Sequence, residues 1–184
     1  MRKKDLKAKL TLILKKDDYE VYVFKPKIFE LYLKFEKVSF LRKIRFLLSL
    51  IYGYKIYYLL KDTIIIGYCF VFDGTNPRYK FADKNDIIVG PYYIKENYRG
   101  NNLSSFLLDI VLKKSGLKYE NAYDYIHVNN IASKKTSEKV GFIPYKSIAI
   151  SKYLRRILFV ENEKCDYIVY LYKHLYKTDN KEEI

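Results

Sequence analysis

A turn that begins with an arginine separates an apolar strand from an amphipathic helix in the segment from Ile87 to Leu112. The backbone N–H groups of a first helical turn lack partners within the helix, and the helix dipole adds partial positive charge there. The turn from Gly100 to Ser104 can therefore present successive N–H groups to an anion, and Arg99 adds a permanent charge. This arrangement predicts a phosphate-binding site. The alternative is an ordinary loop-to-helix junction with a solvated arginine.

A second motif lies downstream, where a short predicted helix ends at a glycine and a strand follows. It reads NNIASKKTSEKVGFIPY, from Asn129 to Tyr145. Together the two segments resemble the GNAT superfamily of acetyl-CoA-dependent N-acetyltransferases. Arg99 opens the counterpart of that family's pyrophosphate loop, (Arg/Gln)-x-x-Gly-x-(Gly/Ala), with Asn102 in place of the first glycine and Ser104 in the last position. Asparagine suits this place because it adopts left-handed backbone conformations more readily than most residues.

The resemblance implies a set of residues that bind acetyl-CoA. The loop would hold the pyrophosphate, Asn130 would contact the pantetheine arm, and the strand before the loop would offer backbone groups to pantetheine beside a bulge. Pro91 favours such an irregularity, because proline cannot donate a ladder hydrogen bond. The implied cofactor-binding residues are Tyr93, Ile94, Arg99, Gly100, Asn101, Asn102, Leu103, Ser104, Asn130 and Ser133.

Acetyl transfer needs an unprotonated amine and a protonated leaving thiol, and the sequence leaves both catalysts open. Many family members carry a glutamate on the strand before the loop, where this chain offers only Asp86, displaced by two residues. His127 is the other candidate base because its usual pKa lies near neutrality, with a structural histidine as the alternative. Ser137 replaces a tyrosine that protonates the thiolate in many members. It could act through a water, another tyrosine could act instead, or no acid is needed.

Hydrophobic periodicity predicts the elements that must position these residues. The predicted order is strand, two helices, three strands, helix, strand, helix and two strands. The predicted strands cover residues 8–15, 54–60, 64–72, 86–94, 122–128, 142–150 and 165–172, with 20–24 as an extension or a second short strand. The predicted helices cover residues 27–51 with a break at Ser39, the segment from Gly100 to Gly116, and residues 131–140.

The resemblance implies an α/β fold with a mixed, mostly antiparallel central sheet, flanked by helices and splayed at the CoA site. We expect a single domain over residues 1–184, with the motifs in 86–145 and a frayed tail over 177–184. Cys69 and Cys165 have no metal-ligand spacing and are expected to be reduced core thiols, so no metal is predicted.

The formal net charge of +14 favours anionic partners, such as nucleic acid, acidic lipid or a phosphorylated small molecule. The lysines are spread along the chain and no nucleic-acid motif occurs, so nucleic acid is not the expected partner. No apolar run approaches the roughly 18 residues needed to span a membrane, so membrane insertion is not expected. A cytoplasmic location is expected, and a homodimer is compatible with the sequence.

The leading interpretation is an N-acetyltransferase that moves acetyl from acetyl-CoA to a primary amine by direct attack in a ternary complex. The acceptor would be a small-molecule amine, and a nucleotide-linked amino sugar is compatible with the basic surface. The alternative is a non-catalytic CoA-binding GNAT-like regulatory module, favoured by Ser137 and the missing glutamate. A third hypothesis is a membrane-surface protein that uses the helices over 27–51. The alternative is that these helices simply cover the sheet.

Overall fold

The computed structural model describes residues 8–33, 39–150, 157–159 and 165–173. Nine strands of this described part form one sheet, in the order β1-β2-β3-β4-β5-β6-β9-β7-β8. The strands are β1 (Thr11–Lys16), β2 (Tyr19–Phe24), β3 (Tyr54–Lys61), β4 (Ile64–Asp73), β5 (Ile87–Ile94), β6 (Asn121–His127), β7 (Ile143–Ile150), β8 (Ile157–Phe159) and β9 (Tyr167–Lys173). All neighbours pair antiparallel except β5 and β6, which are parallel. The predicted mixed, mostly antiparallel sheet is confirmed.

Helices cover both faces of the sheet. The helices are α1 (Phe40–Tyr52), α2 (Leu103–Lys113) and α3 (Ile131–Val140), with a short 3-10 turn over Glu96–Tyr98. Alternate strand residues point to opposite faces, so the strands contribute side chains to two apolar clusters. One cluster includes Leu107 of α2 and Val140 of α3, and the other includes Phe46 of α1. No helix of the described residues has the length and apolar composition that a membrane crossing requires.

The first half of the predicted helical segment 27–51 is wrong over residues 27–33. Lys27 and Glu30 pair through backbone hydrogen bonds across a tight turn instead. Helical periodicity is present there, but Pro26 precedes the segment. Tyrosine hydroxyls of β3 also form hydrogen bonds with backbone groups of Leu31 and Leu33. The second half is confirmed as α1, which begins after Ser39 as predicted, with the Ser39 hydroxyl accepting a hydrogen bond from the Arg42 N–H.

The structure decides one alternative that the sequence left open and adds one strand. Residues 19–24 form a separate strand, β2, between β1 and β3. The short strand β8 was not predicted, and it extends the sheet by pairing with β7. Three residues of strand sequence carry too little periodicity to be recognised from sequence. The predicted tail over 177–184 lies outside the described residues.

The parallel pair β5 and β6 is short, and the two strands then diverge. Their pairing is limited to Ile87 with Ala122 and Ile88 with Tyr123. Beyond this point β5 has a bulge, because Gly90 and Pro91 together face the single residue Phe70 of β4. The irregularity expected at Pro91 is therefore present. The divergence opens a gap between β5 and β6 at the end where the loop before α2 begins.

We predict that Tyr58→Phe destabilises the protein by about 1–3 kcal/mol, because a buried N–H loses its partner. The Tyr58 hydroxyl of β3 accepts a hydrogen bond from the Leu33 N–H at 3.0 Å, where the predicted helix fails. Urea unfolding measures the effect. Tyr52→Phe, a change at a more exposed tyrosine of α1, should stay within about 0.5 kcal/mol of wild type. Equal effects of the two substitutions would contradict the assignment.

Candidate active site

An open cleft of about 620 Å³ lies where the end of β5, the start of α2 and the start of α3 meet. It contains nine of the ten residues that the resemblance implied. They are Tyr93, Ile94, Arg99, Gly100, Asn102, Leu103, Ser104, Asn130 and Ser133. The tenth, Asn101, is not among the lining residues, and its amide lies near the carbonyls of Tyr98 and Arg99. The two sequence motifs are therefore brought to one place by the fold.

The first turn of α2 presents unpaired backbone donors to this cleft. The first intrahelical hydrogen bond runs from the Phe106 N–H to the Asn102 carbonyl, so the N–H groups of residues 103–105 precede the helical ladder. Asn102 has φ of 56° and makes no side-chain cap, because its amide oxygen accepts a hydrogen bond from the Lys139 ammonium at 2.9 Å. The left-handed conformation expected of Asn102 is present. An anion could satisfy the donors that no cap satisfies.

Arg99 is anchored to β5 and keeps donors for a ligand. Its Nε donates to the Ile94 carbonyl at 3.0 Å, and its guanidinium lies 5.3 Å from the Tyr93 ring centroid. Within the described residues this is the only hydrogen bond of the guanidinium, and the ion pair with exposed Glu96 is long, at 3.6 Å. The Ile94 carbonyl accepts this hydrogen bond with one of its two lone pairs.

The opposite wall of the cleft is the start of α3. Asn130 caps this helix, since its amide oxygen accepts a hydrogen bond from the Ser133 N–H at 3.2 Å. This leaves the amide NH₂ as the group that could contact a ligand. Lys135 and Thr136 also line the cleft, although the sequence analysis did not select them. The helical spacing of Ala132, Lys135 and Thr136 could have indicated a shared face.

A hydrogen-bonded chain of three side chains leads from the cleft into the core. The Tyr92 hydroxyl lies 3.3 Å from the Ser137 hydroxyl and donates to the Ser133 carbonyl at 3.1 Å. The Ser137 hydroxyl lies 2.7 Å from an Asp124 carboxylate oxygen. Tyr92 lines the cleft, whereas Ser137 and Asp124 are buried. Ser137 is buried and does not line the cleft, so its hydroxyl has no direct contact with a ligand there.

Burial controls the protonation of this chain. Desolvation raises the pKa of Asp124 from 3.8 to about 7, against the opposing effect of hydrogen bonds from Ser137, Tyr92 and the Tyr125 backbone. Desolvation also raises the pKa of the Tyr92 phenol well above its usual value, and the Asp124 charge acts in the same direction. The sequence analysis missed Asp124. The available signal was its place between Ala122 and Ile126 on a strand face that is otherwise apolar.

The structure does not support Asp86 as the base. This carboxylate is buried at the start of β5, whereas the cleft lies at the other end, roughly 25 Å along the strand. One carboxylate oxygen accepts the Asp83 N–H at 2.9 Å, and the other accepts both the backbone N–H and the side-chain amide of Asn121. Asp86 therefore joins the starts of β5 and β6 and holds a structural position.

His127 lies at the end of β6 and outside the set of residues that line the cleft. Its Nδ1 accepts a hydrogen bond from the Asn129 N–H at 3.2 Å, so the neutral ring carries its proton on Nε2. In this tautomer neither nitrogen has a free lone pair for a substrate proton. The ring packs edge-on against Tyr167 at 5.1 Å between centroids. These contacts favour the structural alternative for His127 over the role of base.

Sequence comparison and structural comparison give different results. No protein-family model matches the chain, and no curated protein matches its sequence. Solved structures do match its fold. The chain is similar to the apo form of RimL, a ribosomal L7/L12 α-N-protein acetyltransferase, with 12% identity over 90% of this chain and 95% of that one, at a TM-score of 0.58.

Two further structures have the same fold. A GNAT family acetyltransferase from Elizabethkingia anophelis with acetyl-CoA bound has 12% identity, covers 86% of this chain and 100% of its own, and gives a TM-score of 0.56. The Campylobacter jejuni N-acetyltransferase PseH has 19% identity, with 84% and 98% coverage and a TM-score of 0.52. At such identities the similarity concerns the fold, and it confirms the predicted architecture.

We predict a pH-dependent stability that depends on Asp124. Its pKa is raised in the folded state, so folding favours the protonated carboxyl and stability decreases as pH rises from about 4 to about 7. Relative to Asp124→Asn, the wild-type free energy of unfolding should fall by about 1.4 kcal/mol per pH unit in this window and then level off. Urea unfolding at successive pH values measures both proteins. Parallel curves would show that Asp124 titrates normally.

Proposed function

We propose that this chain, whose fold is that of the GNAT acetyltransferases, transfers the acetyl group of acetyl-CoA to a primary amine. The observation that carries the proposal is the uncapped first turn of α2 at the cleft. Its free N–H groups lie beside the cationic side chains of Arg99 and Lys135. This combination suits a diphosphate, which is the most highly charged group in the middle of CoA.

The dimensions and chemistry of the cleft fit CoA in two respects. Its volume of about 620 Å³ falls within the usual range of 300–1,000 Å³ for sites of small ligands. Its walls change from donors near α2 to a mixture of aromatic and small polar side chains near Tyr92 and Ser133. We assign the pyrophosphate to the loop from Arg99 to Ser104, and the pantetheine arm to the wall that Asn130 begins.

Acetyl-CoA supplies a thioester: the amine nitrogen bonds to its carbonyl carbon, the carbon–sulfur bond breaks, the amine loses a proton and the sulfur gains one. The protein needs a donor near the sulfur. We assign this role to Tyr92, because its side chain lines the cleft and its hydroxyl is hydrogen-bonded through Ser137 to Asp124. The sequence had left open that a tyrosine elsewhere in the chain acts in place of Ser137.

Asp124 and Ser137 support that donor. With a pKa near 7, Asp124 holds a proton for part of the time at neutral pH. A proton released by Tyr92 can be replaced by transfer from Ser137, which in turn takes one from Asp124, so the phenolate does not persist. Because Asp124 and Ser137 do not touch the cleft, they are positioning residues and proton carriers, and Tyr92 is the candidate catalytic residue.

The described lining of the cleft offers no side-chain base for the amine proton. None of the described residues that line the cleft is a carboxylate or a histidine. In the proposed reaction the amine therefore loses its proton to water. The same observation favours the second candidate, a CoA-binding module without catalysis, which predicts binding without turnover of any amine.

We predict that CoA binding depends on both walls of the cleft. In calorimetric titrations with CoA, Arg99→Ala and Asn130→Ser should each weaken binding by about tenfold, the equivalent of one charge-assisted hydrogen bond. Serine at position 130 can still cap α3, so its effect isolates the lost amide. Lys114→Ala removes a charge at the far end of α2 and should leave the affinity within about twofold. Wild-type protein without saturable CoA binding would refute the proposed function.

We predict that Tyr92→Phe lowers kcat by about 10²-fold, the lower end of the range for acid–base catalysis. Its affinity for CoA should be unchanged, because the lost hydroxyl is proposed to act on the leaving sulfur. Tyr98→Phe, at another tyrosine of the same cleft, should retain kcat within about twofold. An equal loss in both variants, or none in Tyr92→Phe, would remove Tyr92 from the mechanism. Wild-type binding without turnover across an amine panel would favour the regulatory module.

A further inference from the structure

A second pocket lies on the other face of the sheet and contains three arginines. It has a volume of about 240 Å³ and is bordered by α1, by the loop after β4, and by β5, β6 and β9. Arg42 and Arg45 are three residues apart on α1 and so face the same side, and Arg78 approaches from the loop. We call this site the arginine pocket. None of its described lining residues is acidic.

Arg42 and Arg78 are held in place but retain unused donors. The Arg42 guanidinium lies 5.6 Å from the Phe46 ring centroid, and that of Arg78 lies 5.8 Å from the ring of Tyr79. Arg78 Nη2 makes one long hydrogen bond of 3.4 Å to Tyr125, and its buried Nε has no hydrogen-bond partner. Within the described ranges, neither Arg42 nor Arg78 forms an ion pair. Clustered guanidinium groups without carboxylates are suited to an external anion.

Buried polar contacts fix Arg78 relative to α1. The Asn76 amide donates to the Ser49 hydroxyl of α1 at 3.3 Å, and its oxygen accepts the Arg78 N–H at 3.1 Å. The Arg78 carbonyl accepts the Ile157 N–H of β8 at 2.8 Å. Both Asn76 and Ser49 are buried. The loop is thus tied to a helix and to an edge strand, and the arginine pocket is formed before any ligand arrives.

The arginine pocket and the cleft lie on opposite sides of β5 at its bulge. Pro91 borders the arginine pocket, and the next residue, Tyr92, lines the cleft. Beyond Ile88 no pairing with β6 closes the sheet. We propose that the arginine pocket binds a phosphate group of the acceptor amine, an inference that rests on the transferase function proposed above. The acceptor then enters from the face of α1, while CoA occupies the opposite face.

The geometry favours a phosphate over other anionic groups. One guanidinium group can bind two phosphate oxygens through parallel N–H donors. Three arginines line this pocket. A volume of about 240 Å³ accommodates a phosphate and a few further atoms, but it is smaller than a typical site for an entire nucleotide. A nucleotide-linked amino sugar would place only its diphosphate there. An acidic peptide is the competing acceptor, and its extended chain fits a pocket of this small volume less well.

The test compares two amines that differ only in phosphate. Protein saturated with CoA, so that the cleft is filled, is titrated in a calorimeter with glucosamine 1-phosphate and with glucosamine. The variants are Arg42→Gln and Arg78→Gln, with Lys43→Gln as the matched control, because Lys43 carries the same charge on α1 but does not line the pocket. We expect wild type to prefer the phosphorylated amine by about tenfold or more.

Both arginine variants should lose most of this preference, and Lys43→Gln should keep it within about twofold. Inorganic phosphate should compete with the phosphorylated amine in wild type. Equal affinity for the two amines, no saturable binding of the phosphorylated amine, or equal losses in all three variants would overturn the proposal. Tighter binding of an acidic peptide amine would overturn it in favour of a protein acceptor. Failure of CoA to bind is measured separately in the saturation step and refutes the transferase function instead.

Discussion

The short contact between β5 and β6 is the constraint on which both sites depend. The two strands pair at only two positions and are joined at their starts by the buried carboxylate of Asp86, which accepts three hydrogen bonds. Beyond Ile88 the bulge at Gly90 and Pro91 turns β5 away from its neighbour. A sheet paired along its whole length would separate the two faces completely. Because pairing stops early in this one, the proposed donor on one face and the proposed acceptor on the other would approach each other where β5 and β6 diverge.

The uncapped start of α2 shows how the loop exchanges local stability for binding. A helix usually begins with a side chain that accepts hydrogen bonds from its first N–H groups. Here the candidate cap, Asn102, turns its oxygen to Lys139 and adopts a left-handed backbone conformation. The donors are left for a ligand, and the Lys139 contact fastens α2 to α3, so the two walls of the cleft keep their spacing. The interaction that would stabilise the free helix is used to shape the site.

The sequence predicts the local parts of the site well and its long-range contacts poorly. The loop from Arg99 to Ser104 and the cap at Asn130 could be predicted because their roles depend on a few adjacent residues. Residues 27–33 do not form the predicted helix. Tyrosine hydroxyls of β3 form hydrogen bonds with the backbone of Leu31 and Leu33 there, from about 25 residues away. The arginine pocket could not be predicted either, because Arg42 and Arg78 are distant in sequence. The contact between Ser49 and Asn76 ties their segments together. Periodicity carries no information about such partners.

The serine at position 137 is explained by what surrounds it. Its side chain is fully buried, with its hydroxyl between Asp124 and Tyr92. A tyrosine ring there would require the volume that these two side chains occupy, and native cores have few voids of that size. Tyr92, on the strand across the cleft, carries the phenol to which we assign the role of acid. An isolated buried carboxylate would be costly, but the pKa of Asp124 near 7 lets it remain largely neutral in mildly acidic conditions, which limits that cost.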